Sequence, residues 1–131
     1  MAKKLALGTV VVFIIWFVLD YVIHGMILGS TYANHPELYR TMEDMKMGLL
    51  NFVRLVSAFT FVYIYAQLLK DKGMMPGVIY GLVFGVGAGI SMGYGTYATM
   101  PIDYYMALVW FLGTMIEATA AGAALGMLIK D

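Results

Sequence analysis

Long apolar stretches, separated by charged or turn-forming residues, dominate the pattern along this chain. Four of them exceed the roughly 20 mostly apolar residues that a helix needs to cross a bilayer. They are Leu5–Leu28, Gly48–Leu69, Gly77–Ala98 and Tyr105–Ile129. Hydrocarbon offers no hydrogen bonds to the backbone, so spanning segments are helices or closed barrels, and runs of about 9–11 alternating residues are not seen. The pattern therefore predicts one domain over residues 1–131, an all-α, integral membrane four-helix bundle.

Composition and charge also indicate that lipid surrounds most of the chain. Hydrophobic residues make up 62% of the chain and charged residues 12%, against about 45–50% and 25% in soluble domains. A net charge of zero argues against nucleic acid as a partner and leaves the lipid bilayer as the predicted one. The first stretch is longer than the roughly 7–15 apolar residues of a signal peptide, so it is interpreted as a retained span.

The basic residues predict the orientation, because cytoplasmic ends of spans are enriched in lysine and arginine. One end of the bundle collects Lys3, Lys4, Lys70, Lys72 and Lys130, and the other has Arg40 and Lys46. Both termini are therefore expected in the cytoplasm, with the protein in the bacterial inner membrane. Tyrosines at the opposite end then form an interfacial belt: Tyr32, Tyr39, Tyr97, Tyr104 and Tyr105.

The first outer connection is predicted to be an amphipathic helix over 34–47. Pro36 and Glu37 suit the first turn of a helix. Apolar residues then follow at spacings of four, three and four: Leu38, Met42, Met45 and Leu49. Such a helix would lie at the membrane interface or continue into the second span.

A short motif occurs twice, 65 residues apart. The segment Thr31–Tyr39 returns as Thr96–Tyr104 in the pattern T-Y-A-x-x-P-x-x-Y, identical at five of nine positions. The spacing favours a duplicated helical hairpin whose halves have the same orientation, a parallel repeat. Chance similarity is the alternative, since proline at helix starts and tyrosine at headgroups each have a local reason to occur.

Small residues recur every fourth position in the third and fourth spans. Such rows let another helix backbone approach closely, which is how apolar helices associate in lipid. They are Gly77, Gly81, Gly85, Gly89 and Gly93, followed by Ala118, Gly122 and Gly126. The partner is interpreted as another helix of this chain, with a second copy and a ligand or lipid as alternatives.

Four ionisable residues lie within the predicted spans: Asp20, His24, Arg54 and Glu117. Charges in the bilayer cost about 2.5–3.5 kcal/mol each on insertion scales, so they normally face inward and pair. At about 1.5 Å per residue, Asp20, His24 and Arg54 lie within roughly 6–12 Å of the outer end. With Asn51 one turn before Arg54, they predict an outward-facing polar cluster, and Glu117 is expected deeper, within reach only if Arg54 extends inward.

This cluster has two interpretations. An Asp20–Arg54 ion pair could simply lock two helices together. Alternatively, the cluster could bind a proton, an ion or a small polar molecule, because Glu117 has no second basic partner and the hydrocarbon favours its neutral form. A copper(I) site at His35, Met42, Met45 and Met47 is a further, weaker possibility, and no metal or other cofactor is required by the sequence.

The order of these features resembles small four-span bacterial membrane proteins for which no activity is established. The resemblance is carried by Asp-Tyr-Val-Ile-His-Gly at positions 20–25, the tyrosine-rich outer segment, the glycine-rich third span, and Trp110 with Glu117 in the fourth. It implies the four-span topology and no particular chemistry.

Two functions remain. Catalytic motifs are lacking, so the preferred interpretation is a non-catalytic accessory subunit or self-associating scaffold, acting as a homo-oligomer or in a larger membrane complex. The alternative is a small carrier or sensor that binds its ligand at Asp20, His24, Asn51, Arg54 and Glu117.

Overall fold

The computed structural model describes residues 2–38 and 43–130, and within these ranges the chain is helical with no strand. Its four long helices are long and apolar enough to cross a membrane, so the predicted all-α four-helix bundle is confirmed. In chain order the elements are α1 (Ala2–Asp20) with a π-helical continuation (Tyr21–Ile27), α2 (Gly29–Ala33), α3 (Met47–Tyr63) with a π-helical continuation (Ile64–Leu68), α4 (Met74–Ile90) with a π-helical continuation (Ser91–Gly95), α5 (Thr96–Thr99) and α6 (Tyr104–Leu128).

The bundle has two ends that we name by what they carry. The terminal end holds both chain termini and the connection 69–73. The distal end holds residues 28–38 and 43–46 of the first connection and the connection 100–103. The four long helices begin and end within three residues of the predicted spans.

The first distal connection differs from the amphipathic helix predicted over 34–47. Pro36–Leu38 form a single 3-10 turn, and α3 begins only at Met47, after a turn at 43–44 and two non-helical residues. Met42 lies outside the described residues. Leu38 packs against the apolar cluster at the distal end, so tertiary contacts override the local helical periodicity of this segment.

The helices neighbour each other in the order α3, α1, α6, α4. Helix α6 packs along α4 on one side and along α1 on the other, and α1 also packs on α3. Aromatic rings close the remaining side between α3 and α4. The Phe61 ring centroid lies 4.6 Å from that of Tyr80 and 5.1 Å from that of Phe84. The Tyr80 hydroxyl donates to the Phe61 carbonyl oxygen at 2.7 Å.

The contact between α4 and α6 is made backbone to backbone. A Cβ atom placed on Gly85 would lie 2.8 Å from Met115 Cα, and one on Gly89 would lie 2.8 Å from the Phe111 carbonyl oxygen. A Cβ on Gly81 would overlap the Ala118 carbonyl. A Cβ atom would also be crowded by backbone at Gly77 and Gly93, which face α6, and at Gly122 and Gly126 on α6. Gly126 faces Gly73 and Met74. The glycine-rich face of the third span therefore lies against the fourth span and the adjoining chain.

A buried tyrosine ties the terminal end together. The Tyr65 hydroxyl donates to the Ile129 carbonyl oxygen at 2.7 Å and accepts from the Gly73 amide at 2.8 Å. Gly73 has φ of +139°, a conformation that glycine adopts without steric cost. One side chain thus joins the end of the second span to the start of the third and the end of the fourth.

Replacement of Gly81 by alanine tests the close contact. The added methyl group meets backbone that cannot rotate away, so Gly81→Ala should lower the free energy of unfolding by about 1–3 kcal/mol. Gly87→Ala is the matched control, because its Cβ would meet nothing within 4 Å and alanine is the better helix former by about 1 kcal/mol. Unfolding in mild detergent measures both, and equal stability of the two variants would contradict the packing.

Candidate functional site

A polar layer lies inside the bundle between two apolar clusters. On α1 the larger cluster includes Val12, and Ile23, just beyond the end of α1, belongs to the smaller cluster near the distal end. Asp20 lies between these two residues. Arg54 on α3 and Glu117 on α6 meet Asp20 at this level. Three neighbouring helices therefore each contribute one ionisable side chain to the same layer.

The Arg54 guanidinium contacts a carboxylate, an amide oxygen and two aromatic rings. Its Nε donates to Asp20 Oδ2 at 3.0 Å, and one terminal nitrogen donates to Asn51 Oδ1 at 2.7 Å. The Phe17 ring centroid lies 5.1 Å from its Cζ and the Phe13 centroid 5.9 Å away, distances at which a cation is attracted to a ring face. The Arg54 side chain is only 10% exposed, so its charge depends on Asp20.

Glu117 joins the cluster through Asp20. The two carboxyl groups are close enough to hydrogen-bond, and such a bond forms only when one of them carries a proton, because ionised carboxylates only accept hydrogen bonds. Trp16, one turn before Asp20 on α1, donates from Nε1 to the Glu117 carbonyl oxygen at 2.9 Å. The Glu117 backbone therefore lies about one turn deeper than Asp20, as expected, and the expectation that only an extended Arg54 could reach Glu117 is corrected.

His24 links the cluster to the distal end. It lies in the π-helical continuation of α1, a conformation that is frequent at functional sites. His24 Nε2 lies 4.0 Å from Asp20 Oδ1, and Nδ1 lies 2.6 Å from the Tyr32 hydroxyl oxygen. Trp110 Nε1 donates to that same oxygen at 2.7 Å. A chain of polar contacts thus runs from Trp110 to Asp20.

The protonation of His24 can change without breaking this chain. In the neutral ring with hydrogen on Nε2, Nδ1 accepts from the Tyr32 hydroxyl. In the imidazolium form, Nδ1–H donates to it. From the sequence, Tyr32 was predicted to lie in an interfacial belt, and Trp110 was noted only as part of the resemblance to small four-span proteins. Their contact was missed because the two residues are 78 positions apart.

A second pair of charged groups, which the sequence did not predict, joins the two distal connections. His35 Nε2 lies 2.9 Å from Asp103 Oδ2, and Nδ1 lies 3.5 Å from Glu37 Oε1. The hydrogen bond to Asp103 raises the pKa of His35 above its ordinary value, and Glu37 adds to the effect. The only sequence signal for this contact was the motif that repeats in both connections.

The copper(I) hypothesis at His35, Met42, Met45 and Met47 stays a prediction. His35 has a carboxylate at each ring nitrogen, and Met42 lies outside the described residues. Within residues 2–38 and 43–130, no three histidine, aspartate or glutamate side chains are grouped as metal ligands. Met45 and Met47 precede and begin α3.

Two surface grooves stand out, and neither is lined by the ionisable groups of the cluster. One of about 290 Å³ lies between α1 and α3, and one of about 610 Å³ lies at the terminal end. Asn51 lines the first. The cluster side chains contact one another directly, so the arrangement suits a ligand that needs no cavity.

Comparison with known proteins identifies no relative. No family model, curated protein or solved structure matches the chain. The chemistry of the cluster therefore has to be inferred from its own geometry.

The Asp20–Arg54 pair predicts a non-additive pair of substitutions. Asp20→Asn leaves the Arg54 cation unpaired in hydrocarbon and should cost about 3 kcal/mol of folding free energy. Asp20→Asn combined with Arg54→Gln removes both charges and should recover most of that loss. Unfolding free energies in detergent or bilayers measure the cycle, with exposed Glu43→Gln as a control. A double variant whose loss equals the sum of the single losses would show that the two side chains do not interact.

The His35–Asp103 contact predicts a pH dependence at the distal end. Because the folded state raises the pKa of His35, the contact should stabilise fully below the ordinary histidine value of about 6.5 and fade as pH rises through the folded value. Titration of the His35 ring by NMR should give a pKa above that of Asp103→Asn, with a smaller difference for Glu37→Gln. Asp103 makes no side-chain cap to α6, so Asn removes the charge without removing a cap. Identical pKa values in all three proteins would contradict the contact.

Proposed function

We propose that this protein is a small membrane proton sensor or carrier that binds one proton between Asp20 and Glu117. The observation that carries the proposal is the direct contact of these two carboxyl groups inside the bundle. Two neighbouring carboxyl groups repel each other strongly once both are ionised. Arg54 can balance one negative charge but not two. Binding and loss of a single proton therefore switches the contact between α1 and α6 from attraction to repulsion.

His24 supports this proposal by giving the pair a route toward the distal end. Its side chain is 45% exposed, whereas that of Asp20 is 27% exposed. Histidine changes its protonation near neutral pH and can take a proton on one ring nitrogen while releasing one from the other. We assign it the role of passing protons between the distal surface and the carboxyl pair.

The proposed orientation follows from the basic residues. Five lysines lie at the terminal end by sequence, against Arg40 and Lys46 near the distal end, which favours cytoplasmic termini. The proton site then opens toward the outside of the bacterial inner membrane. A sensor in this position responds to external acidity.

We also propose that the two helical hairpins derive from a duplicated unit. In both halves the odd-numbered span ends in a π-helical segment followed by a short α-helix, α2 or α5, and the T-Y-A motif lies at that place. The halves differ in chemistry, since Asp20 and His24 correspond to Gly85 and Gly89 at the offset of 65. Of the two odd-numbered spans, only the first would then carry side chains that bind a proton.

The accessory-subunit or scaffold interpretation offered the glycine face as a surface that could dock against another span. In the structure, that face of α4 is covered by α6 of the same chain. A scaffold would have to use another surface, whereas the contact of the carboxyl pair supports the proposal of proton binding.

Intrinsic fluorescence offers a direct test, because both tryptophans of the chain contact the cluster: Trp16 at the Glu117 carbonyl and Trp110 at Tyr32. A pH titration in liposomes should shift the emission as the carboxyl pair gains or loses its proton. Glu117→Gln keeps a hydrogen bond to Asp20 but cannot exchange a proton, so it should fold and lose the transition. Glu43→Gln is the control and should retain it.

Two outcomes would contradict the proposal: a transition that persists unchanged in Glu117→Gln, or a wild-type protein without one. A pH-sensitive dye inside the same liposomes separates the two roles. A carrier acidifies or alkalinises the lumen at a rate that Glu117→Gln abolishes, whereas a sensor shows the fluorescence transition without flux.

A further inference from the structure

The groove at the terminal end lies where the second span ends and α4 begins, away from the proton site. It has a volume of about 610 Å³, within the range of about 300–1,000 Å³ typical of small-molecule sites. Its walls are formed largely by apolar side chains of α4: Met75, Ile79, Val83 and Phe84. These residues extend over about 14 Å of helix, at about 1.5 Å per residue.

The aromatic contacts between α3 and α4 explain why the groove is open and apolar. Phe61 stands between the two helices and packs on Tyr80 and Phe84, which keeps the backbones apart. The Tyr80 hydroxyl is engaged by the Phe61 carbonyl. Tyr80 therefore contributes a groove wall whose polar atom already has a partner, and the groove suits a hydrocarbon chain.

The mouth of the groove carries one charge of each sign. Among the described residues, the charged side chains in its lining are Lys70 and Asp71. Both are exposed in the connection between the spans. The neighbouring Lys72 differs, because its Nζ donates to the Leu69 carbonyl oxygen at 2.8 Å and so has a structural role at the end of the second span.

We propose that this groove binds a phospholipid whose headgroup carries both a phosphate and a primary ammonium. One acyl chain lies along α4, Lys70 binds the phosphate, and Asp71 accepts hydrogen bonds from the ammonium. An anionic lipid without an amine would satisfy Lys70 and be repelled by Asp71. A quaternary ammonium headgroup would bring the right charge and no N–H to donate. The mouth is therefore complementary to the aminophospholipid in both sign and hydrogen bonding.

Native mass spectrometry of the delipidated protein tests this assignment. The protein is mixed in detergent with equal amounts of phosphatidylethanolamine, phosphatidylcholine and phosphatidylglycerol that share the same acyl chains. Phosphatidylethanolamine should be retained about tenfold more than either competitor, the selectivity expected from one added charge-assisted hydrogen bond. Equal retention of the three lipids would overturn the proposal in favour of ordinary solvation by lipid.

Variants separate the roles of the two charged residues. Asp71→Asn should reduce retention of phosphatidylethanolamine to the level of phosphatidylcholine and remove the disadvantage of phosphatidylglycerol. Lys70→Gln should lower retention of all three lipids, because each carries the phosphate that Lys70 binds. Lys4→Gln is the matched control, a lysine at the same end of the bundle that does not line the groove. If Lys70→Gln and Lys4→Gln behave alike, the groove is not the site.

A groove-filling variant tests the position of the acyl chain independently of charge. Val83 is 66% exposed, so Val83→Trp adds bulk on the open side of α4 without entering the core. It should lower retention of all three lipids to a similar extent. Unchanged retention in Val83→Trp would contradict the placement of the chain along α4.

Discussion

The packing of the first helical hairpin depends on one interaction, the ion pair of the Asp20 carboxylate with Arg54. Hydrocarbon does not solvate ions, so each charge buried in a span needs a partner from another helix. Asp20 supplies that partner to Arg54 on α3 and meets Glu117 on α6. His24, one turn further along, approaches the other Asp20 oxygen. A single carboxylate thus joins three spans at one level of the membrane.

The second half of the bundle is held by a different interaction. Helices α4 and α6 meet through glycine and alanine backbone, a contact of short range that tolerates no added atoms at Gly81 or Gly122. Helix α6 uses its opposite side to present Glu117 to α1. A rigid α4–α6 pair is therefore joined to the first hairpin partly through groups that can gain or lose a proton. Movement on deprotonation is expected at the α1–α6 contact rather than within the glycine contact.

Much of the architecture could be predicted from hydropathy, because span length and apolar content are local properties of the sequence. The level of Asp20 and Arg54 also followed from counting residues along helices. Counting gives depth but not the rotation of one helix relative to another, which is why the contact of Glu117 with Asp20 was missed. The described residues of 34–47 do not form the predicted amphipathic helix, because the contacts that shape them come from distant parts of the chain.

The other contacts around the site also join residues that are far apart in the sequence. Trp110 reaches Tyr32 across 78 residues, and His35 reaches Asp103 across 68. No local spacing encodes such pairs; they form when α6 packs beside α1 and brings the two distal connections together. The repeated motif placed both connections at one end, which was the nearest available signal.

The central claim is that two carboxyl groups in the membrane hold one proton between them. Infrared difference spectroscopy in bilayers at neutral pH, comparing the wild-type protein with Glu117→Gln, measures this most directly. The account predicts a protonated carboxylic acid band in the wild-type protein that shifts in heavy water and disappears in the variant. A spectrum containing only ionised carboxylates would contradict it.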